Sequence, residues 1–258
     1  MTERLLSKWI VAGVCLGALL VAGCQPKPDP GSSAVPEKAS SEAPAVGGTV
    51  EAAQDSAPAR PALPLSKLPA TAPAESLEYL GLKREEPLKM EVDADGQPTM
   101  TGTVTSRLIE VDGDKSVFEV ERSGSLLGAG TETLEARPDG VFTTSVGGNP
   151  VSPAHMALPA RLEVGRSWRT NSSFEMPTGQ KVTDESTYRI AAREKVQTKL
   201  GEFDAVRVDG SGSTTIDGQR LRVQMRAWYV RGMGAVRIEV TSKKPDGESV
   251  RVTMQAVP

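Results

Sequence analysis

Asp217-Gly218-Gln219-Arg220-Leu221-Arg222-Val223-Gln224-Met225-Arg226-Ala227-Trp228 is the stretch that decides the fold. In an extended chain Leu221, Val223, Met225 and Ala227 share one face, and Arg222, Gln224, Arg226 and Trp228 share the other. The Asp-Gly pair at its start suits the positive φ angles of a tight hairpin turn. That dipeptide recurs at Asp95-Gly96, Asp112-Gly113, Asp139-Gly140, Asp209-Gly210 and Asp246-Gly247. The segments between these pairs alternate as well. Phe118 and Val120 oppose Val117, Glu119 and Glu121; Tyr188 and Ile190 oppose Thr187 and Arg189; Val236, Ile238 and Val240 oppose Arg237 and Glu239.

No long window repeats apolar residues at helical spacing. The best helix candidate, Glu75 to Glu86 before Pro87, is short and contains Gly81. Ser152-Pro153-Ala154-His155-Met156-Ala157-Leu158-Pro159 is bounded by prolines and reads as a loop or a single turn. Residues 74–258 are therefore expected to be mainly β, with about nine or ten antiparallel strands in meander order. One apolar face per strand implies a single curved sheet or open half-barrel around an interior, or two packed sheets.

Upstream the composition changes. Residues 24–73 are dominated by Pro, Ala, Ser, Gly and Glu, and such a segment buries too little apolar surface to offset its ordering entropy. It is expected to be a disordered linker, spanning roughly 40 Å if flexible and up to about 150 Å in polyproline II. Before it, Arg4 and Lys8 precede an apolar run from Trp9 that closes on Val21-Ala22-Gly23-Cys24. A basic start, a short apolar core and small residues at a cleavage point make a secretory signal peptide over residues 1–23. The run is shorter than the roughly 20 residues of a membrane-spanning helix.

The four residues Val21, Ala22, Gly23 and Cys24 resemble the lipobox of bacterial lipoproteins. That resemblance implies cleavage after Gly23, diacylglycerol on the Cys24 thiol, and an amino terminus acylated with a fatty acid of the palmitate type. Several chains together give stable membrane attachment. Gln25, where an aspartate would favour inner-membrane retention, points to the outer membrane, facing the periplasm.

These features narrow the chemistry. Losing Arg4, Lys8 and Glu3 with the signal peptide takes the net charge from −3 to −4, so nucleic acid is not an expected partner. Cys15 leaves with the signal peptide and Cys24 carries lipid, so the domain has no thiol for a disulfide or a metal. His155 is the single histidine, and no Gly-x-Ser-x-Gly elbow accompanies it. It reads as a loop histidine without a special role, and Ser211 in Gly210-Ser211-Gly212-Ser213 reads as part of a turn. Asp93-Ala94-Asp95-Gly96 and Asp112-Gly113-Asp114 hint at calcium loops but lack the further ligands of an EF-hand. No catalytic residue, metal or cofactor is expected. Trp168, Tyr188, Trp228 and Tyr229 are the candidate ligand- or partner-binding residues, with core packing as the alternative.

Three segments carry a family resemblance. They are Leu162-Glu163-Val164-Gly165-Arg166-Ser167-Trp168, Leu200-Gly201-Glu202-Phe203-Asp204-Ala205-Val206-Arg207-Val208, and Trp228-Tyr229-Val230-Arg231-Gly232-Met233-Gly234-Ala235-Val236-Arg237. Over about residues 159–240 this pattern resembles the TapB-like family of exported bacterial proteins, a domain of unknown function. The resemblance implies structural roles for Gly165, Gly201, Phe203, Gly232 and Gly234, a half-barrel-like fold and an envelope role. A more distant likeness, to the LolA/LolB carriers that hold acyl chains within a curved sheet, is an analogy of fold alone. The expected function is therefore a membrane-tethered envelope lipoprotein with a non-catalytic binding or assembly domain. The alternatives are a carrier or sensor of a lipid or other apolar ligand, and, third, a hydrolytic enzyme.

Overall fold

Alternating segments joined by tight turns pair most readily with their neighbours in sequence, and the chain follows that rule from end to end. The computed structural model describes residues 60–258 apart from 125, 127–129 and 177–178. The signal peptide, the Val21–Cys24 motif and the linker up to residue 59 lie outside the described residues. The strands are β1 (Leu88–Ala94), β2 (Met100–Asp112), β3 (Lys115–Arg122), β4 (Glu132–Arg137), β5 (Gly140–Val146), β6 (Asn149–Pro159), β7 (Ser167–Glu175), β8 (Lys181–Gln197), β9 (Glu202–Ile216), β10 (Gln219–Val230), β11 (Gly234–Lys243) and β12 (Ser249–Ala256).

β1 pairs antiparallel with β2 on one side and with β12 on the other, in the register Met90↔Ala256. The expected open sheet of nine or ten strands is thus corrected to a closed barrel of twelve. Closure gives the first and last strands partners for edges that an open sheet would leave bare. The ladder is uneven. β8 and β9 pair from Gln197↔Glu202 to Val182↔Ile216, whereas β6 and β7 share the single pair Ser152↔Ser173.

Five of the six Asp-Gly pairs lie at hairpin connections, and at the β9–β10 turn Asp217 and Gly218 both take positive φ, 47° and 83°. Asp209-Gly210 does not; it sits inside β9. There a Cβ on Gly210 would lie 2.8 Å from the Tyr188 ring, so the glycine makes room for an aromatic side chain. Ser211 and Gly212 are likewise strand residues of β9, not a turn. The segment read as a loop, Ser152 to Pro159, is also strand, within β6.

The barrel faces water on the outside. Lys181, Thr183, Glu185, Thr187 and Arg189 of β8 are exposed, while Val182, Asp184, Ser186, Tyr188 and Ile190 are buried. A barrel that spans a membrane shows the reverse, an apolar outer band. Among the described residues no helix is long and apolar enough to cross a membrane.

Among the described residues one α-helix forms, α1 (Ala74–Tyr79), at the start of the candidate helix at 75–86, whose remainder is turn and irregular chain. It ends where Gly81 takes φ +68°. α1 touches β5 and β11, which lie on opposite sides of the ring, so it crosses the bore and closes one end. Leu77 is fully buried with Leu108, Phe118, Leu134 and Val141, and the Ser76 hydroxyl donates to the Pro159 carbonyl at 2.5 Å. Leu63, Leu65, Leu68 and Ala72, which composition assigns to the linker, pack against the same cluster.

Candidate functional site

Adjacent residues of a strand face opposite ways, and this divides the four candidate aromatics. Tyr229 points into the barrel, with Val206 opposite it on β9 and Ile238 in the same cluster. Trp168 and Tyr188 pair across β7 and β8 and stack at 5.5 Å between ring centroids, and the Trp168 indole N–H donates to the Met156 carbonyl at 3.0 Å. These three residues meet around a void of about 20 Å³, with His155, Met156 and Met225 in its wall. That is room for about one water molecule.

Trp228 is not among them. It faces outward beside Arg207 and Arg237 and packs with Val196, Ala205 and Val230. The far end of the β8–β9 hairpin folds over this part of β10: Arg237 on β11 donates to the Gln197 carbonyl at 3.1 Å, and Lys199 pairs with Glu91 on β1. Beneath that arm the Trp228 indole N–H donates to Glu194 at 2.8 Å, the Arg237 guanidinium lies 5.7 Å from its ring, and Arg207 makes two bonds of 3.0 Å to Glu194. Only 8% of Trp228 is exposed. Trp228 therefore shares no void with Trp168, Tyr188 and Tyr229.

The motif glycines hold bends. Gly165 precedes β7 at φ +97°, Gly201 turns β8 into β9 at φ +147° beside the Phe203 ring, and Gly232 and Gly234 take +78° and +97° between β10 and β11. A Cβ on Gly234 would come within 3.1 Å of the Leu80 carbonyl, so the turn and the segment after α1 pack backbone against backbone.

Polar side chains occupy inward positions that alternation alone assigns to the core. Asp184 is buried and accepts hydrogen bonds from Thr170, Ser186 and Thr214 at 2.8, 2.7 and 3.3 Å. Burial raises its pKa above the ordinary 3.8, against the lowering effect of those three hydroxyls. Glu132 pairs with Arg122 at 2.8 Å and accepts from Thr143 at 2.9 Å. The Nδ1 of His155 lies 3.2 Å from the Ser172 hydroxyl. Burial lowers the His155 pKa below 6.5, opposed by the Glu132 charge, so the imidazole is neutral at pH 7.

A serine, a histidine and a carboxylate are thus neighbours. They do not form a relay, because Glu132 spends its oxygens on Arg122 and Thr143, and the 20 Å³ void has no space for a scissile carbonyl. Sequence reading missed this polar layer. The available signal was Thr170, Ser172, Asp184 and Ser186 falling on the same parity as Phe174, Val182 and Tyr188. Among the described residues no group of three or more His, Cys, Asp or Glu is arranged to hold a metal.

Two other spaces are present. A cavity of about 100 Å³ lies beside the segment that follows α1, lined by Leu82, Met90, Val120, Leu134, Tyr229 and Met254, with Arg84 in its wall. On the surface, Tyr79, Arg193, Glu194, Lys195, Asp204 and Ala205 form an open groove of about 430 Å³. The Tyr79 ring there lies 5.9 and 5.5 Å from the Arg193 and Arg231 guanidinium groups, which also pair with Glu75 and Glu78 of α1.

No family model matches the chain, and no curated protein matches it. Solved structures similar to it include a candidate lipoprotein of Parabacteroides distasonis, at TM-score 0.48 and 10% identity, covering 69% of this chain and 96% of that one. A candidate exported protein of Bacteroides fragilis with a YmcC-like fold gives TM-score 0.45 and 11% identity, covering 67% and 95%. The hypothetical lipoprotein YmcC of Escherichia coli gives TM-score 0.32 and 11% identity, covering 71% and 89%. No site residue transfers at these values. The TapB-like resemblance and the LolA/LolB analogy gain no support from them.

Proposed function

We propose that this protein is a lipid-anchored lipoprotein of the bacterial cell envelope, held by Cys24, whose barrel is a non-catalytic binding or assembly domain. The observation that carries the second half is the small size of the interior voids among the described residues. Among the described residues, the interior cavity beside the segment after α1 holds about 100 Å³, well below the several hundred Å³ that a drug-sized or lipid ligand needs. A whole-lipid carrier of the LolA/LolB type is therefore the second reading. A hydrolase is third, since the Ser172–His155 pair has neither a free carboxylate nor space for substrate. The polar outer wall and the charged groove beside α1 suit contact with another envelope component. The first half rests on Val21-Ala22-Gly23-Cys24, and attachment to the outer membrane rests on Gln25.

The test is fractionation of cells expressing the full chain with Cys24→Ala, joined to mass spectrometry of what co-purifies with the wild type. The variant should be lost from the membrane fraction or accumulate uncut. A membrane-bound Cys24→Ala product cut after Gly23 would refute the anchor. A stoichiometric lipid in place of a protein partner would move the carrier reading to first place.

A further inference from the structure

Arg84 is the one charged group of the 100 Å³ cavity wall without an ion-pair partner among the described residues. Its Nε donates to the Glu86 carbonyl at 2.6 Å, Nη1 to the Met233 carbonyl at 2.8 Å, and Nη2 to the Val104 carbonyl at 2.9 Å. All three acceptors are backbone oxygens. A guanidinium has five N–H donors, so each terminal nitrogen keeps one. The other ions of the cavity wall, Arg122 and Glu132, neutralise each other at 2.8 Å. Arg84 has no carboxylate within ion-pair distance among the described residues; burial draws its pKa down, opposed by the Glu86 charge, and the guanidinium stays charged. A cation half-removed from water beside an apolar void attracts an anion that also fills the void.

We infer that the cavity beside the segment after α1 is a binding site for a short-chain organic carboxylate, its acid group on Arg84 and its apolar tail among Leu82, Met90, Tyr229, Met233 and Met254. The volume sets the size of the tail. A dry cavity of about 150 Å³ holds benzene, so about 100 Å³ takes a tail of roughly four carbons. Hexanoate matches, with its first carbons at the cavity mouth. The Arg84 bonds to β2 and to the β10–β11 turn hold the guanidinium fixed before any ligand arrives, which lowers the ordering cost of binding. This inference rests on the reading of the barrel as a binding domain and names its ligand class.

The methionines provide the assay. Met90, Met233 and Met254 line the cavity, whereas Met176 belongs to a separate cluster with Val146, Val151, Phe174 and Val182. The full chain, labelled with 13C-methyl methionine and held in phosphatidylcholine nanodiscs, is titrated with hexanoate and separately with 1-hexanol. Hexanoate should shift the Met90, Met233 and Met254 signals saturably, leave Met176 in place, and act at a concentration at least tenfold below that of hexanol. Arg84→Gln should erase the preference over hexanol. Val104→Phe, which fills the cavity and leaves Arg84 intact, should abolish the shifts while Met176 stays at its wild-type position. Equal potency of hexanol and hexanoate would overturn the inference, as would parallel movement of Met176. Absence of any shift would overturn it too. That result would leave the binding or assembly reading to the co-purification test, so the two failures are distinct.

Discussion

Replacing Trp228 with alanine tests whether this side chain is structural. The residue is 8% exposed beneath the β8–β9 arm, and truncation of a buried tryptophan costs about 3–5 kcal/mol. Against a total stability of roughly 5–15 kcal/mol this is a large fraction. For a domain of this size each kcal/mol moves the melting temperature by about 2–4 °C, so Trp228→Ala should melt roughly 6–20 °C below wild type. Trp228→Phe separates packing from hydrogen bonding. It keeps most of the ring but removes the 2.8 Å bond to Glu194, a charge-assisted bond of the class worth about 1.5–3 kcal/mol. Glu194 retains its two bonds to Arg207, which places the expected loss at the low end of that range, about 1.5 kcal/mol. Thermal unfolding followed by far-ultraviolet circular dichroism measures both variants. If Trp228→Ala melts within about 2 °C of wild type, the arm does not bury the indole in solution and the structural argument fails. If that stable variant also loses its envelope phenotype, Trp228 is an outward-facing contact residue.

Two further outcomes follow from the interior and the cap. Because burial raises the Asp184 pKa, the native state holds this proton above pH 3.8 while the unfolded chain releases it. Stability should therefore fall as pH rises from 3.8 through the raised native value, and Asp184→Asn, compared by urea unfolding at several pH values, should lack that part of the slope; an unchanged slope would refute the assignment. Gly81→Ala would place a Cβ 2.6 Å from the Met233 carbonyl at a φ of +68°, so it should destabilise by at least about 2 kcal/mol, and a neutral result would mean that the segment after α1 does not pack as described.

The hairpins of β10 were readable because Leu221, Val223, Met225 and Ala227 keep strict alternation between turn signals. The same rule separates Trp228 from Tyr229 by the parity of neighbouring positions alone. β6 was harder to read. It carries Pro150, Pro153 and Pro159, and proline lacks the N–H that a ladder requires. The single pair with β7 explains how they are accommodated, since few β6 amides are asked to donate on that side. Asp209-Gly210 looked like a turn because the pair usually makes one; the ring of Tyr188, a neighbour across the sheet, is the reason for that glycine, and it is invisible locally. Closure was beyond reach for a similar reason. Nothing in Leu88-Lys89-Met90 or in Val252-Thr253-Met254 says that the two segments meet. Arg84 was equally hidden, because its meaning depends on which carbonyls and which void surround it.

The pairing of β1 with β12 also gives the domain a direction in time. A chain that emerges amino terminus first presents β1 at once, yet the partner for its second edge is the last strand made. Until then β2 to β11 can add one hairpin at a time, while the β1 amides facing β12 remain bonded to solvent. The final eight-residue strand supplies the partner for the second edge of β1, so the ring closes there only once β12 is in place. Truncation at the carboxyl end is consequently more disruptive than its few residues suggest, because it undoes the first strand along with the last.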